Sequence, residues 1–337
     1  MFRFIAVLMG LFLALPLQAQ PPPDLPPGLT RAWEVQQRHE RAIFAREGVV
    51  GVGLAENAVG QPVVRIFTSR RGISGLPIRL EGQDVEVVVA GRFVAGELAA
   101  QPGAGAPSDR WPRPVPIGVS VGHQDVTAGT LGCQVYQSSA CHVQEFILSN
   151  NHVVANTNLG FPNDLVVQPG PYDGGVLPND GIAALAQYQP IVFSTTASNI
   201  MDAAIAYTTS AEVGYATPPD GYGAPRTTAL SPTLNLPVRK YGRTSRSTTG
   251  RVSAVNATVL VDYSSGTTQF VQQIIIIGDN NAPFSMGGDS GSLVVAASGT
   301  DARRPVGLVF AGAGNLTVAN PIGPILSRFG IQIAGDP

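Results

Sequence analysis

The chain has 337 residues, enough for two or three hydrophobic cores. Lys and Arg number 21 against 23 Asp and Glu, a formal net charge of −2, which argues against nucleic acid or an anionic membrane surface as a partner. Charged residues make up only 13% while glycines number 39 and prolines 28, so many short strands and turns are expected rather than long helices.

Residues 1–19 read as a secretory signal, with Arg3 before an apolar run and Leu17-Gln18-Ala19 as a cleavage site. Pro21-Pro22-Pro23 follows at once and cannot continue a helix, so no membrane span is expected after signal removal. The expected location is secreted or periplasmic. Residues 20–102 are expected to fold separately as a small α+β domain. Its predicted elements are a helix over 29–46, strands over 49–54, 62–67 and 85–89, and a short helical turn within 73–80. Gly51-Val52-Gly53 lacks the third glycine and following helix of a dinucleotide loop and reads as strand. Residues 103–116, rich in Pro, Gly and Ala, read as a linker.

From Val119 onward short strands alternate with turn signals, as a pair of β-barrels requires. The first barrel is expected over about 117–209 and the second over about 238–335, with a closing helix near 322–329. Cys133 and Cys141 flank a predicted hairpin and are expected to face each other across it as a disulfide. Two cysteines cannot complete a structural zinc site and no ligand cluster stands near them, so no metal is expected. Arg239, Lys240, Arg243, Arg246 and Arg251 alternate with small polar residues and are expected to form a solvated strand face.

Gly287-Gly288-Asp289-Ser290-Gly291-Ser292 runs into the apolar segment Leu293-Val294-Val295. A serine hydroxyl becomes a useful nucleophile when a base takes its proton and backbone N–H groups face the developing oxyanion. Glycines around Ser290 permit a sharp turn that aims the Gly288 and Ser290 amides into one hollow. Ser292 stands where the second glycine of a nucleophile elbow belongs, which excludes that motif. Four histidines are available as base. His152 lies where the apolar strand Phe146-Ile147-Leu148 gives way to Ser149-Asn150-Asn151. His39 sits on the apolar stripe of the predicted helix as a packing residue, His123 in a turn and His142 in the hairpin. Asp202, entering the apolar run Ala203-Ala204-Ile205-Ala206, needs a partner to be tolerated there and is the expected carboxylate, ahead of Asp173 and Asp180.

The order His152, Asp202, Ser290 and the segments around them resemble the chymotrypsin-like (trypsin-like) serine peptidases over residues 113–335. The resemblance is to bacterial members with an extra amino-terminal domain. It implies a mainly β, double-barrel fold and an exported endopeptidase acting on protein or peptide substrates through an acyl-enzyme, with no cofactor. Nothing in the sequence sets an oligomeric state. The family's cysteines beside the histidine and serine are missing, as is its free Ile-Val-Gly-Gly start, of which Pro116-Ile117-Gly118-Val119 is a faint echo. In zymogen-type relatives a new amino terminus pairs with the aspartate matching Asp289. Counting six positions before Ser290 puts Phe284 at the base of the specificity pocket, with Phe310 and Gly312 in its opposite wall and Gly314 and Asn320 near its mouth. Cleavage after small or medium apolar residues is therefore expected. The competing expectation is a binding or scaffold protein on the same fold with weak or no catalysis.

Overall fold

The computed structural model describes residues 25–96, 105–126, 128–139 and 142–337. The predicted signal segment lies outside them. The elements run α1 (Thr30–Phe44), β1 (Val49–Glu56), β2 (Pro62–Thr68), β3 (Arg79–Leu80), β4 (Gln83–Val89) and β5 (Phe93–Val94). They continue with β6 (Ser120–His123), β7 (Gly129–Thr130), β8 (Cys133–Ser139), β9 (His142–Ser149), α2 (Asn151–Val154), β10 (Leu165–Val167), β11 (Gly181–Tyr188) and β12 (Ala204–Tyr207). The last third holds β13 (Pro237–Gly242), β14 (Arg246–Tyr263), β15 (Gly266–Gly278), β16 (Leu293–Ala296), β17 (Pro305–Ala313), β18 (Leu316–Pro321), α3 (Ile322–Phe329) and β19 (Gln332–Ile333). The fold is mainly β, as expected.

Two sheets carry it. The first has the strand order β19-β8-β9-β12-β11-β10-β6-β7. Its two ends meet because β7 runs through Leu131 and Gly132 into β8: Leu131 still bonds beside β6, with Gly118 N donating to Leu131 O and Leu131 N to Val119 O, while Gly132 N donates to Leu148 O of β9. In the second, β13-β16-β17-β18-β15-β14 close on themselves through the extra β13–β14 pairing, which removes the free edges of that ring. The inward residues of the first sheet, among them Val121, Leu131, Val135, Ile147 and Ile205, form one core, against which α3 packs Ile322, Ile325 and Phe329. Each such fully buried aliphatic side chain contributes about 1.5–3 kcal/mol.

The amino-terminal elements do not form the separate domain expected over 20–102. The β1 strand pairs antiparallel with β14, at Gly51↔Val259 and Val52↔Thr258, so β1, β2, β4 and β3 extend the second sheet. The reason lies in two-sided burial. Val52, Leu54, Val64 and Ile66 pack beneath Trp33, Val35 and Ile43 of α1, while Ala55, Val63 and Phe67 pack with Val259 and Phe270 of the long hairpin. A lone sheet would leave the second of these faces wet. Glycine makes the approach possible, since a methyl group on Gly53 would sit 3.0 Å from Ala257 Cβ. The segment expected as a linker is also packed. Ala106, Pro107 and Ser108 are buried, Val115 bridges to Val213, and Arg110 pairs with Asp180 at 2.7 Å. Residues 73–80 form no helical turn; Arg79 and Leu80 are a short strand against β4.

Cys141 lies outside the described residues. Cys133 is a free, fully buried thiol opposite Leu148, whereas His142 is opposite Ser139 at the far end of the same hairpin. The basic set is not a solvated face. Lys240 and Arg243 are both 0% exposed because each is neutralised inside the protein, Lys240 by Asp289 and Arg243 by Asp173.

Candidate active site

Three segments converge between the sheets. Strand β9 ends at Ser149, the extended Asn150 starts the single turn α2, and His152 sits in that turn, 7% exposed. Asp202 lies two residues before β12, which pairs with β9 through Ala204↔Ser149, so the two side chains start near adjacent strand ends. His152 Nδ1 donates to Asp202 Oδ2 at 2.5 Å, and the His152 amide donates to Asp202 Oδ1 at 3.2 Å. With Nδ1 as donor, Nε2 is the basic nitrogen. It is buried and makes no hydrogen bond among the described residues.

Asp202 is itself 0% exposed and is held from both sheets. Its backbone N–H donates to Asn320 Oδ1 at 3.1 Å, and Asn150 Nδ2 donates to its carbonyl at 2.7 Å. Tyr263 at the end of β14 donates its hydroxyl to Asp202 Oδ2 at 2.8 Å, and its ring stands edge-on to His152 at 5.8 Å. Burial and the nearby Asp202 charge push the Tyr263 phenol well above its ordinary range, so it remains a donor at every ordinary pH. Sequence reasoning missed Tyr263, since a tyrosine at a hairpin end carries no signal. Asn320 was expected at a pocket mouth; it is instead fully buried, joined to Gln273 Oε1 and the Asp202 amide.

Ser290 is 8% exposed. Its carbonyl accepts from Thr130 N at 2.7 Å, which ties the serine turn to the first sheet. A methyl group on Gly129 would meet Val153 Cγ2 at 2.5 Å and Ser290 O at 2.9 Å, so glycine is required where the serine turn meets α2. The Ser290 hydroxyl is turned toward Phe310 O at 3.4 Å rather than toward His152. Gly288 has φ +94°, the left-handed region open to glycine. Among the described residues the Gly288 and Ser290 amides donate to no protein acceptor.

Asp289 is fully buried behind this turn. Its Oδ1 accepts from the Thr244 and Ser245 amides at 2.9 and 3.1 Å, and its Oδ2 from Ser245 Oγ at 2.5 Å and the Met286 amide at 2.9 Å. Lys240 Nζ lies 3.3 Å from Oδ2 and donates to Ser245 Oγ at 2.6 Å. Burial pulls the Lys240 ammonium below its usual range while Asp289 opposes that shift. Asp289 thus has a cation from within the chain.

A cavity of about 380 Å³ opens beside Ser290, lined by Pro283, Ser285, Met286, Val309, Ala311 and Gly312 among others, with Arg92 at its amino-terminal side. Gly312 and Gly314 border it, and Phe284 and Phe310 do not. Both are fully buried: Phe284 packs in the second core and Phe310 stacks 4.7 Å from Phe270. Large rings gain more from core burial than from facing an open hollow, so the neighbouring Ser285 and Met286 take the wall.

The other expected acids and bases are engaged elsewhere. Asp173 pairs with Arg243, and Asp180 with Arg110. His123 is not in a turn; it ends β6, 1% exposed, with Nε2 3.0 Å from Asp164 Oδ2. His39 is not a packing residue, since it is half-exposed and meets Glu81 at 2.9 Å. His142 begins β9.

The family described as the Nal1 C-terminal domain matches residues 227–320, which include Ser290 but neither His152 nor Asp202. The rice (Oryza sativa subsp. japonica) protein NARROW LEAF 1 is 33% identical over 88 residues, 26% of this chain and 14% of the rice protein, so the match spans only a small part of that relative. Among solved structures, Thermobifida fusca protease A is similar at TM-score 0.46 and 20% identity, covering 65% of this chain and 97% of its own. A Cellulomonas bogoriensis chymotrypsin is similar at 0.44 and 17%, covering 65% and 97%. A Nocardiopsis protease is similar at 0.46 and 17%, covering 64% and 97%.

Proposed function

We propose that the protein is an exported serine endopeptidase with His152, Asp202 and Ser290 as its catalytic residues. The observation that carries this reading is the buried His152 Nδ1–Asp202 Oδ2 hydrogen bond of 2.5 Å, which leaves Nε2 without a protein partner among the described residues, in a hollow that shares Val94 and Gly96 with the cavity beside Ser290. This reading requires the serine hydroxyl to turn from Phe310 O toward Nε2; such contacts commonly tighten only when substrate is bound. Ser290 Oγ then attacks the peptide carbonyl while Nε2 takes its proton. The Gly288 and Ser290 amides, free of protein acceptors, receive the oxyanion. His152 returns the proton to the leaving amine, and water hydrolyses the acyl-enzyme by the same route. Asp202 stabilises the imidazolium, and Tyr263 and Asn320 are positioning residues that hold Asp202 in register. No step calls for a cofactor.

The cavity wall of Pro283, Met286, Val309, Ala311 and Gly312 is small and apolar, and among the described residues no carboxylate lines it. A cationic side chain would lose its water there without a partner, so cleavage after small or medium apolar residues is favoured over cleavage after Arg or Lys. The turned-away Ser290 hydroxyl favours a second reading, a peptide-binding protein with little turnover. Labelling by a fluorophosphonate with a Ser290→Ala control, followed by digestion of a peptide library, tests the first reading. Absence of Ser290-dependent labelling leaves only the second.

A further inference from the structure

Strand β5 joins the second sheet beside the cleft. Phe93 and Val94 run parallel to Val261 and Asp262 of β14, and Val94 lies antiparallel opposite Gly312 of β17. On its other side β17 is paired with β18, at Ala311↔Val318 and Gly312↔Thr317, while its pairing with β16 covers only Pro305 to Leu308. Residues 310–312 therefore present a strand edge next to Ser290, whose hydroxyl reaches Phe310 O. An extended peptide brought to Ser290 needs partners for its own N–H and C=O groups, and this edge is the nearest that can supply them. Continuing the register two residues from Val94 sets Gly96 opposite Phe310. Gly96 borders both the Ser290 cavity and the hollow that holds His152. A methyl group on it would lie 3.9 Å from His152 Cδ2.

The segment is anchored, not draped. Phe93 is fully buried with its ring edge-on to Phe67 at 6.2 Å, Ala95 N donates to Asp262 O at 3.0 Å, and Arg92 meets Asp262 at 3.2 Å. Gly96 has φ +82°, so the chain leaves the extended path at the point where a scissile bond would have to lie flat.

Resting on the peptidase reading, we propose that residues 92–96 are an internal strand seated on the peptide-docking edge of β17. A substrate must displace this strand, and the chain as it stands is blocked toward extended peptides while small reagents still reach Ser290. The test pairs Val94→Cys with Gly312→Cys in the full chain, because antiparallel partners lie about 4.5–5.5 Å apart, within disulfide range. Oxidation is expected to slow reaction with a tetrapeptidyl phosphonate ending in alanine at least 100-fold, reversibly, and at least ten-fold more than it slows a small alkyl fluorophosphonate on the same variant, since Val94 and Gly312 also line the cavity. Val94→Pro, which lacks the N–H, is expected to react with the peptidyl probe at least ten-fold faster than the parent, with the amides of Ala311 to Ala313 exchanging at least ten-fold faster. Equal peptidyl reaction in the oxidised and reduced clamp, or equal exchange in Val94→Pro and the parent, overturns the proposal. Failure of the small probe on every form overturns the peptidase reading instead, and the exchange measurement still decides whether β5 holds that edge.

Discussion

Two buried aspartates stand on opposite sides of the cleft, and their partners differ in kind. Asp202 faces an imidazole, a tyrosine hydroxyl and a backbone amide. Asp289 faces a lysine, a serine hydroxyl and three backbone amides. An aspartate whose neighbour must gain and lose a proton is surrounded by donors that stay neutral, so that the histidine's charge is the variable one. An aspartate whose task is to fix a turn is given a cation that never leaves. On the proposed peptidase reading, the difference separates a group that assists proton transfer from one that shapes the backbone, although the two are equally buried.

The largest expected effects come from the first side. Ser290→Ala and His152→Ala are each expected to lower kcat about 10⁶-fold and Asp202→Ala about 10⁴-fold, with the triple variant little worse than the worst single one. Circular dichroism and thermal melts should show all of them folded. Near-normal turnover in Asp202→Ala would remove the contrast between the two aspartates.

Next comes the second side. Lys240→Met keeps the length of the side chain but strands the Asp289 charge, and breaking a buried pair from one end costs about 3–5 kcal/mol. Denaturant unfolding is expected to show that loss, and fluorophosphonate labelling of Ser290 should fall with it because Asp289 ties Met286 of the serine loop to Ser245 of the β13–β14 turn. A stable, fully reactive Lys240→Met would show that the four hydrogen bonds to Asp289 suffice without a cation.

Tyr263→Phe is a smaller probe. It removes one hydrogen bond to a charged group, worth about 1.5–3 kcal/mol, so kcat is expected to drop roughly ten- to a hundred-fold with KM unchanged. The ring contact with His152 is kept, and a change confined to KM would place Tyr263 in substrate binding rather than in positioning Asp202.

Much of this was legible in the sequence. The serine loop, the strand end before His152 and the apolar run after Asp202 carry their chemistry in consecutive residues, and α3 and the strands of both sheets follow from local patterning. What was not legible depends on long-range pairing. Gly51 and Gly53 read as part of a strand, and nothing local told that β14 would lie against it. Lys240 and Arg243 alternate with polar residues as exposed lysines do, and only the carboxylates that fold over them, Asp289 and Asp173, make their burial possible. Phe284 was placed by counting back from Ser290, and counting cannot tell which of three neighbouring side chains faces the cavity.

The smallest expected effect tests how the amino-terminal elements are held. Glu81 accepts from Arg38 at 2.9 and 2.7 Å and from His39 at 2.9 Å, joining the β3–β4 turn to α1. These hydrogen bonds, Arg38's first, lower the Glu81 carboxyl from 4.5 to about 2. A carboxyl with a depressed folded value binds its proton more tightly in the unfolded chain, so its contribution is complete above the ordinary glutamate range and is lost as pH falls toward about 2. The cluster is exposed, where ion pairs are screened by salt and contribute little. Glu81→Gln is therefore expected to lower Tm by roughly one or two degrees at neutral pH. The difference from the parent should shrink both at high salt and near pH 2. The β1–β14 pairing and the two-sided core, by contrast, are indifferent to salt and pH. If Glu81→Gln lowered Tm as far as Lys240→Met does, the surface cluster would be the main tie between α1 and the sheet, and the buried pairing would count for less than its area implies.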